Sequence, residues 1–489
     1  MDTAREDRTG LEAWHRAELP APPPTQGLKI LGVIGPGVIL LGSAIGSGEW
    51  LLGPAVLIKY GLALLWVSSA AIFLQTIFNT ELVRYTLYTG EPAVVGFMRT
   101  RPHARFWALV YAALYVLQAG WPAWAGAAAG AAVYMATGSL PGEAQAGLVQ
   151  GIGTAIFAAC VAILLVGRRI ERTLELLNWV MVATILIGLA ALCVVIAPAG
   201  RWLGVAAGFV GWDLERGGFA LLPAGADWFL LAAFAAYSGV GGVGNLTLSN
   251  WARDKGFGMG GVVGFIPAAV AGRAVPLAHR GSVFLPAAES LAKWRGWWRI
   301  VRADQWGVFF IGAMLGMALP AILYTAVIPS GEDIRGPGIA ARLADAIGPG
   351  TWLALAIALM GVWLLFKAQL DILEGTVRAV TDILWTGSRR MRRWSRDDVR
   401  WVYYGVLALF VVWGVIALGL AQPIVLLQLS ANVGGVVMVL ASLHILRINT
   451  TLLPPELRPP LWRRLALVAT ALFYGAFVTL WLTSWAFRT

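Results

Sequence analysis

The sequence predicts an all-α polytopic membrane protein with eleven transmembrane helices. Of its 489 residues, 58% are hydrophobic and 13% are charged, and the mean hydropathy is +0.72. Most of such a chain cannot form a water-soluble surface. Apolar runs of about 20 residues, the length of helix that crosses a bilayer, recur throughout it. Glycine-rich segments interrupt two of these runs, which indicates an inverted-repeat architecture with discontinuous helices 1 and 6.

The apolar runs divide the chain into a tail and eleven spans. Residues 1–27 are polar with mixed charges and lack the basic, apolar and small-residue order of a cleaved signal, so we expect a cytosolic tail. Each later segment approaches or exceeds the length that crosses a bilayer. The predicted spans are 28–60, 61–88, 106–137, 149–167, 173–197, 226–250, 304–329, 351–385, 400–420, 421–446 and 463–486.

Lysine and arginine collect in alternate connections, whereas a loop such as 138–148 has none. The positive-inside rule therefore predicts a cytosolic N-terminus and a C-terminus outside. Because these residues form no single basic face, the net charge of +11 does not indicate nucleic acid, and the expected partner is the lipid bilayer. The basic connections are the N-terminal tail, 99–105, 168–172, 251–303, 386–400 and 447–464.

Enzyme signatures and cofactor motifs are missing from the sequence. There is no His-Glu-x-x-His zinc motif, no Gly-x-Ser-x-Gly elbow and no Walker loop, so we expect neither an enzyme nor a cofactor. Cys160 and Cys193 lie inside apolar segments and are interpreted as packing residues. A structural or sensor protein is the alternative, because a fold does not fix an activity. The oligomeric state is left open.

Two interruptions of apolar runs carry the functional prediction. Gly46-Ser47-Gly48 divides the run 35–54 and is followed by a carboxylate, Glu49, while residues 239–245 divide a later run. Lipid offers no partners to freed backbone groups, so such breaks persist where they line a site or a cavity. Paired breaks in corresponding halves are typical of secondary transporters that work by alternating access.

The residues around these breaks resemble the Nramp family of divalent metal transporters and its Nramp-related branches. The opening Gly35-Pro36-Gly37, the break that follows it and Asn245-Leu246-Thr247-Leu248 carry the resemblance. It implies the leucine-transporter-type fold, in which helices 1 to 5 and 6 to 10 form a 5+5 inverted repeat and an eleventh helix lies outside. Further similar stretches are Leu64–Val67 with Gln75, residues 167–171, and Gln369 with Gly375-Thr376.

The resemblance implies a division of the chain into the two repeats and their connections. Residues 198–225 form an extracellular loop, and 251–303 form a long cytosolic loop within the second repeat. The other parts are the tail 1–27, the first repeat 28–197, the second repeat 226–446, and a cytosolic loop with helix 11 over 447–489.

The sequence departs from the family where the metal would bind. The family's Asp-Pro-Gly-Asn motif falls on residues 46–49, so Gly46 replaces the aspartate and Glu49 the asparagine. Its Met-Pro-His-Asn motif falls on residues 242–245 and keeps only Asn245. Loss of the thioether weakens a manganese or iron assignment, and the remaining oxygen ligands suit a hard, partly hydrated ion such as magnesium. The predicted substrate-binding residues are Gly46, Ser47, Gly48, Glu49, Gly242, Asn245, Gln428 and Asn432, with Glu49 and Asn245 as metal ligands.

Several interpretations stay open at this point. The cargo is a divalent cation, magnesium or manganese, or alternatively a small organic amine or amino acid that pairs with Glu49. The glycines either leave room for the substrate or serve close helix packing. Asn245 either binds the substrate or caps the restarted helix. The third span, 106–137, has no acidic residue or histidine, which argues against a proton relay there.

Charged residues within spans 2 and 8 are candidates for coupling or gating. Asp371 and Glu374 each have a basic residue four positions away, which favours ion pairs on one helical face, although charges within a membrane are often functional. Glu81 and Arg84, near the cytosolic end of span 2, either form an intracellular gate or face water.

Overall fold

The computed structural model describes residues 9–25, 27–165, 170–266, 277–334 and 338–486. Within these ranges, ten helices are long and apolar enough to cross a membrane. One further helix, the sixth in chain order (α6), consists of two shorter halves, Trp228–Tyr237 and Val243–Asp254. The predicted all-α polytopic membrane fold is therefore confirmed. The ten long helices are α1 Pro36–Tyr60, α2 Leu62–Thr89, α3 Ala104–Thr137, α4 Glu143–Leu165, α5 Leu174–Ile196, α7 Ala288–Val327, α8 Trp352–Gly387, α9 Val399–Ala417, α10 Pro423–Thr451 and α11 Leu461–Ser484.

Helix α1 is the centre of the molecule. Its most apolar 18-residue window is 100% buried by protein, whereas the corresponding windows of α4, α5 and α11 are 28% buried. The outer helices present large apolar side chains such as Leu409 of α9, which is 72% exposed. Apolar side chains on an outer surface are expected where lipid is the solvent. The interrupted helix α1 is thus shielded from lipid by the helices around it.

Three of the long helices are irregular. In α1, two α-helical parts, Pro36–Ile45 and Gly53–Tyr60, are joined by a short turn and by a wider, π-helical segment, Gly48–Leu52. A second widened segment, Ala303–Phe310, lies within α7, and Pro122 accompanies an interruption of α3. Widened turns of this kind occur frequently at functional sites.

The connections contain small ordered elements. Strands Trp212–Asp213 and Gly218–Phe219 form an antiparallel pair in the predicted loop 198–225. The predicted loop 251–303 ends in helix, because α7 already begins at Ala288. Residues 167–169, part of the resemblance to the family, lie outside the described residues.

The N-terminal segment, residues 9–25, packs on the protein along its length. Leu11 and Leu19 are buried, and His15–Arg16 pairs in parallel with Ser282–Val283. The indole of Trp297 in α7 donates a hydrogen bond to the carbonyl oxygen of Pro20, at 2.9 Å. Polar composition predicted a tail, and the structure shows a tail that is held by the connection before α7 and by α7 itself.

Candidate functional site

The interruption of α1 is in close contact with two other helices. A Cβ atom added at Gly48 would lie 1.8 Å from the carbonyl oxygen of Tyr237, the last residue in the first half of α6. A Cβ atom at Gly46 would lie 2.5 Å from the Cβ of Ala368 in α8. Of the two roles left open for the glycines, these contacts favour close helix packing at Gly46 and Gly48. Ser47 turns back to its own helix, where its hydroxyl donates to the carbonyl oxygen of Ser43 at 2.9 Å.

Glu49 connects the two interruptions. Its side chain is completely buried, and Oε1 accepts a hydrogen bond of 3.2 Å from the backbone N–H of Gly239. Among the described residues, Oε2 has no hydrogen-bond partner. Gly316 of α7 lies on another side of the Glu49 side chain, where a Cβ atom added at Gly316 would be 3.8 Å from Glu49 Cγ. A buried carboxylate oxygen without a partner is costly unless a ligand satisfies it.

The interruption of α6 is a short stretch of glycine-rich backbone. Gly239, Gly241 and Gly242 have φ angles of 96°, 74° and 60°, in the left-handed region that glycine adopts without steric cost. The backbone groups that leave the helix here are buried and need partners. Two glutamine side chains from neighbouring helices supply them.

Gln75 of α2 binds the interruption of α6 from one side. Its Oε1 accepts from the N–H groups of Val240 and Gly241, at 2.9 and 3.2 Å. Its Nε2 donates to the carbonyl oxygen of Ser238 at 2.8 Å. This single amide therefore satisfies three backbone groups. The resemblance singled out Gln75 without assigning a role to it.

Gln118 of α3 binds the same interruption from the other side. Its Oε1 accepts from Val243 N–H at 2.9 Å, and its Nε2 donates to the carbonyl oxygen of Gly241 at 3.0 Å. Gly242 lies against this side chain, since its added Cβ would be 2.2 Å from Gln118 Oε1. No function was predicted for Gln118 from the sequence. An amide in an otherwise apolar helix was the available signal.

Asn245 lies in the first turn of the second half of α6 and is fully buried. Its Nδ2 donates to Gln75 Oε1 at 3.2 Å and to Asn79 Oδ1 at 2.8 Å. The second half of α6 has no side-chain cap, so Asn245 does not cap it. Its Oδ1 has no hydrogen-bond partner among the described residues, which leaves one oxygen available to a ligand.

The predicted contributions from α10 do not reach the interruptions. Asn432 donates to the carbonyl oxygens of Phe229 and Gln428, at 3.0 and 2.8 Å, and thus holds the start of α6. Ser430 and Gly434 are the α10 residues found against the interruption: the Ser430 hydroxyl lies 2.5 Å from the hydroxyl of Tyr237, and a Cβ atom added at Gly242 would lie 2.7 Å from Gly434 Cα. Residues two positions apart are about 200° apart around a helix. Gln428 and Asn432 therefore lie on the face opposite Ser430.

A small cavity lies beside the interruption of α6. Its volume is about 20 Å³, which is room for roughly one water molecule. Ser43 of α1, Gln118 of α3, Gly241 of α6, and Asp371 and Thr376 of α8 contribute to its lining. Asp371 is the carboxylate that faces this cavity, whereas Glu49 lies outside its lining. No group of three or more His, Cys, Asp or Glu side chains within the described ranges is arranged to hold a metal ion.

The charges of α8 form the predicted pairs in the interior. Lys367 Nζ lies 2.8 Å from Asp371 Oδ2, and both side chains are at most 1% exposed. Arg378 pairs with Glu374 and also with Asp254 at the end of α6. The indole of Trp251 donates to Glu374 Oε2 at 2.7 Å. The second half of α6 is thereby bound to α8 through buried charges.

Glu81 and Arg84 are buried, which argues against the alternative that they face water. Arg84 pairs with Glu81 at 2.7 Å, and Arg463 of α11 pairs with the same carboxylate at 2.9 Å. Asn449 of α10 donates to Glu81 Oε2 at 3.1 Å. Both guanidinium groups also lie over the indole of Trp298, at 4.2 and 5.1 Å from its centroid. This cluster joins α2 to α7, α10 and α11.

Comparison with known proteins shows the fold. The manganese transporter of Eremococcus coleocola, in complex with an aromatic bis-isothiourea substituted compound, is similar with a TM-score of 0.63 at 12% identity, over 98% of this chain and 91% of that chain. A mutant of that transporter has the same TM-score at 13% identity. Mhp1, a nucleobase-cation-symport-1 family transporter, is more distant, with a TM-score of 0.49 at 11% identity over 92% and 93% of the two chains.

No family model matches the chain, and no curated protein matches it. The structural likeness to the manganese transporter shows that the chain has the leucine-transporter-type fold. This agrees with the architecture that the paired interruptions predicted. The Nramp-related branch stays a prediction from the motifs.

Proposed function

We propose that the chain is a secondary transporter that moves a divalent metal cation across the membrane by alternating access. The observation that carries this proposal is the Glu49 carboxylate, which is completely buried at the contact between the two interrupted helices and has one oxygen without a hydrogen-bond partner in the described part of the chain. A group of this kind in a membrane interior is expected to bind a cation or another partner. The fold shared with the manganese transporter of Eremococcus coleocola supports a metal ion as cargo.

The chemistry of the available ligands favours a hard cation. Among the described residues, the buried side-chain atoms without hydrogen-bond partners near the interruptions include two oxygens, Glu49 Oε2 and Asn245 Oδ1, together with one amide nitrogen, Asn79 Nδ2. Magnesium keeps several of its waters and uses one or two carboxylates, so this donor set suits it. Manganese is the second candidate, although no thioether or imidazole stands at the family's metal-binding positions in α6.

The cavity beside the interruption of α6, which is lined by Asp371 and not by Glu49, is too small for the alternative cargo, a small organic amine or amino acid. A volume of about 20 Å³ has room for roughly one water molecule, whereas sites for organic ligands are far larger, about 300 Å³ or more. In this proposal the N-terminus is cytosolic, the C-terminus is outside, and transport proceeds without a proton relay in α3. The proposed gating residues have buried contacts that join helices which alternating access would move relative to one another. These residues are Glu81, Arg84, Asp371 and Glu374.

Cation flux into proteoliposomes tests the proposal. Uptake of Mg²⁺, Mn²⁺ and Ca²⁺ is measured for the purified wild type and for Glu49→Gln, with internal pH recorded. Glu143→Gln, at an exposed acidic residue, is the matched control. We expect uptake of Mg²⁺ or Mn²⁺ that falls at least tenfold in Glu49→Gln and is unchanged in Glu143→Gln, because Glu49 is buried at the two interruptions whereas Glu143 is exposed.

The outcomes separate the candidate cargoes. A folded wild type that transports none of the three ions would exclude the divalent cation, and competition with amines and amino acids would follow. Equal flux in wild type and Glu49→Gln would place the cation elsewhere, with Asp371 as the next carboxylate. Internal acidification that accompanies uptake would show proton coupling and contradict the interpretation of α3.

A further inference from the structure

Lys367 occupies a space that only glycine leaves open in α1. A Cβ atom added at Gly42 would lie 0.8 Å from Lys367 Nζ and 2.2 Å from Asn178 Oδ1. The ammonium group of α8 and the amide oxygen of α5 therefore share the volume next to the backbone of Gly42. Any other residue at position 42 would displace them.

Asp371 completes this group. Its Oδ2 lies 2.8 Å from Lys367 Nζ, and its Oδ1 accepts a hydrogen bond of 3.0 Å from Asn178 Nδ2. Lys367, Asp371 and Asn178 are all at most 1% exposed. A carboxylate in this setting requires a positive charge close by, because an isolated buried charge is strongly unfavourable.

The same carboxylate faces the cavity beside the interruption of α6. Asp371 thus lies between the candidate substrate space and the ammonium group of Lys367. Asp371 Oδ2 and Asn178 Oδ1 are the kinds of oxygen that bind a small cation, and the Lys367 ammonium stands where such a cation would be placed.

We propose that Lys367 is a tethered cation that fills a monovalent-cation site made by Asp371 and Asn178 beside Gly42. The chain supplies its own positive charge at this position, so no second ion has to bind there. Removal of the ammonium group vacates the site, and a dissolved monovalent cation then binds to the freed oxygens. The consequence for transport, that movement of the cargo is independent of external sodium, rests on the proposed function. The existence of the site does not.

Thermal unfolding of the purified protein in detergent tests the site without any transport measurement. The melting temperature is followed by tryptophan fluorescence in NaCl, KCl and choline chloride at equal concentration, for the wild type, Lys367→Ala and Lys367→Ala/Asp371→Asn. Lys59→Gln is the matched control, because Lys59 also pairs with an aspartate, Asp333, but is partly exposed. A ligand that binds only the folded state raises the melting temperature.

We expect Lys367→Ala to melt about 3 °C or more higher in sodium or potassium than in choline, since a cation bound to the folded state adds stability. The wild type, Lys59→Gln and the double variant should show equal temperatures in all three salts. Equal temperatures for Lys367→Ala would overturn the proposal. Should Lys367→Ala not fold, Lys367→Gln is compared in the same way, and failure of both variants to fold in every salt also overturns it, because a bound cation should restore the site.

Discussion

Gly48 of α1 packs directly on the carbonyl group of Tyr237 in α6, with no room for a Cβ atom between them. The next residue, Glu49, accepts a hydrogen bond from the backbone of Gly239. The interruptions of the two helices are therefore in contact through backbone on one side and through a carboxylate on the other. A displacement of either helix at this level must be accompanied by a displacement of the other helix, because a close-packed contact of this kind does not deform gradually.

Gly48→Ala should disrupt this contact. The added methyl carbon would lie 1.8 Å from the Tyr237 carbonyl oxygen, and relief requires a backbone shift that costs about 1–3 kcal/mol or more. We expect a lower melting temperature of the purified protein. Gly405→Ala in α9, which meets no atom within 4 Å, is the control and should leave stability equal or slightly higher. Equal melting of both variants would contradict the packing.

Gln118→Leu should destabilise the interruption of α6. The substitution removes the hydrogen bonds to Val243 N–H and to the Gly241 carbonyl, and each buried group left without a partner costs about 1–3 kcal/mol. We expect faster amide hydrogen exchange over residues 239–245 together with a lower melting temperature. Gln150→Leu, at an exposed position of α4, should change neither. Unaltered exchange in Gln118→Leu would show that other groups satisfy this backbone.

Glu81→Gln should weaken the attachment of α11. It leaves Arg84 and Arg463 buried without their shared carboxylate, and removal of one member of a buried ion pair costs about 3–5 kcal/mol. We expect a marked fall in melting temperature. Glu289→Gln removes the exposed partner of Lys293 and should have no measurable effect, since exposed pairs contribute little. A fall of similar size in both variants would contradict the expectation that the buried ion pairs of Glu81 contribute more to stability than the exposed pair of Glu289.

Glu91, in the connection after α2, should make stability depend on acid pH. Burial raises the pKa of this carboxyl, but the adjacent Arg99 guanidinium outweighs burial and holds the pKa below its ordinary value of 4.5. The ionised form therefore stabilises the fold above about pH 4.5, and this contribution is lost as the pH falls through the lowered pKa. Melting curves from pH 7 to 3.5 should show Glu91→Gln less stable than the wild type at neutral pH. The gap should narrow as the solution becomes acidic, and a gap independent of pH would exclude this linkage.

The sequence predicted the fold because the signal was repeated along the chain. Apolar runs of membrane length fixed the number of helices, and the two glycine-rich interruptions identified α1 and α6 as the discontinuous pair. The spacing of Lys367 and Asp371 predicted their pairing, since residues four apart meet on one helical face.

The partners of the site residues depend on tertiary packing and could not be predicted. Nothing in the local sequence of α2 and α3 shows that Gln75 and Gln118 meet the backbone of α6. Likewise, Arg463 lies more than 380 positions from Glu81 in the chain. On α10 the sequence identified polar residues, but the choice between Ser430 and its neighbours required the orientation of the helix.

The ordered N-terminal segment has a consequence for how the protein is handled and how it moves. Glu12 lies 2.9 Å from His279 and 3.8 Å from Arg392, so the segment spans the connections before α7 and after α8. Under the proposed alternating-access function, these connections are expected to separate when their side of the membrane opens. The contacts of residues 9–25 would then have to break, so their strength would contribute to the balance between the two open states. Trimming or tagging this end is therefore expected to shift that balance without altering the residues at the two interruptions.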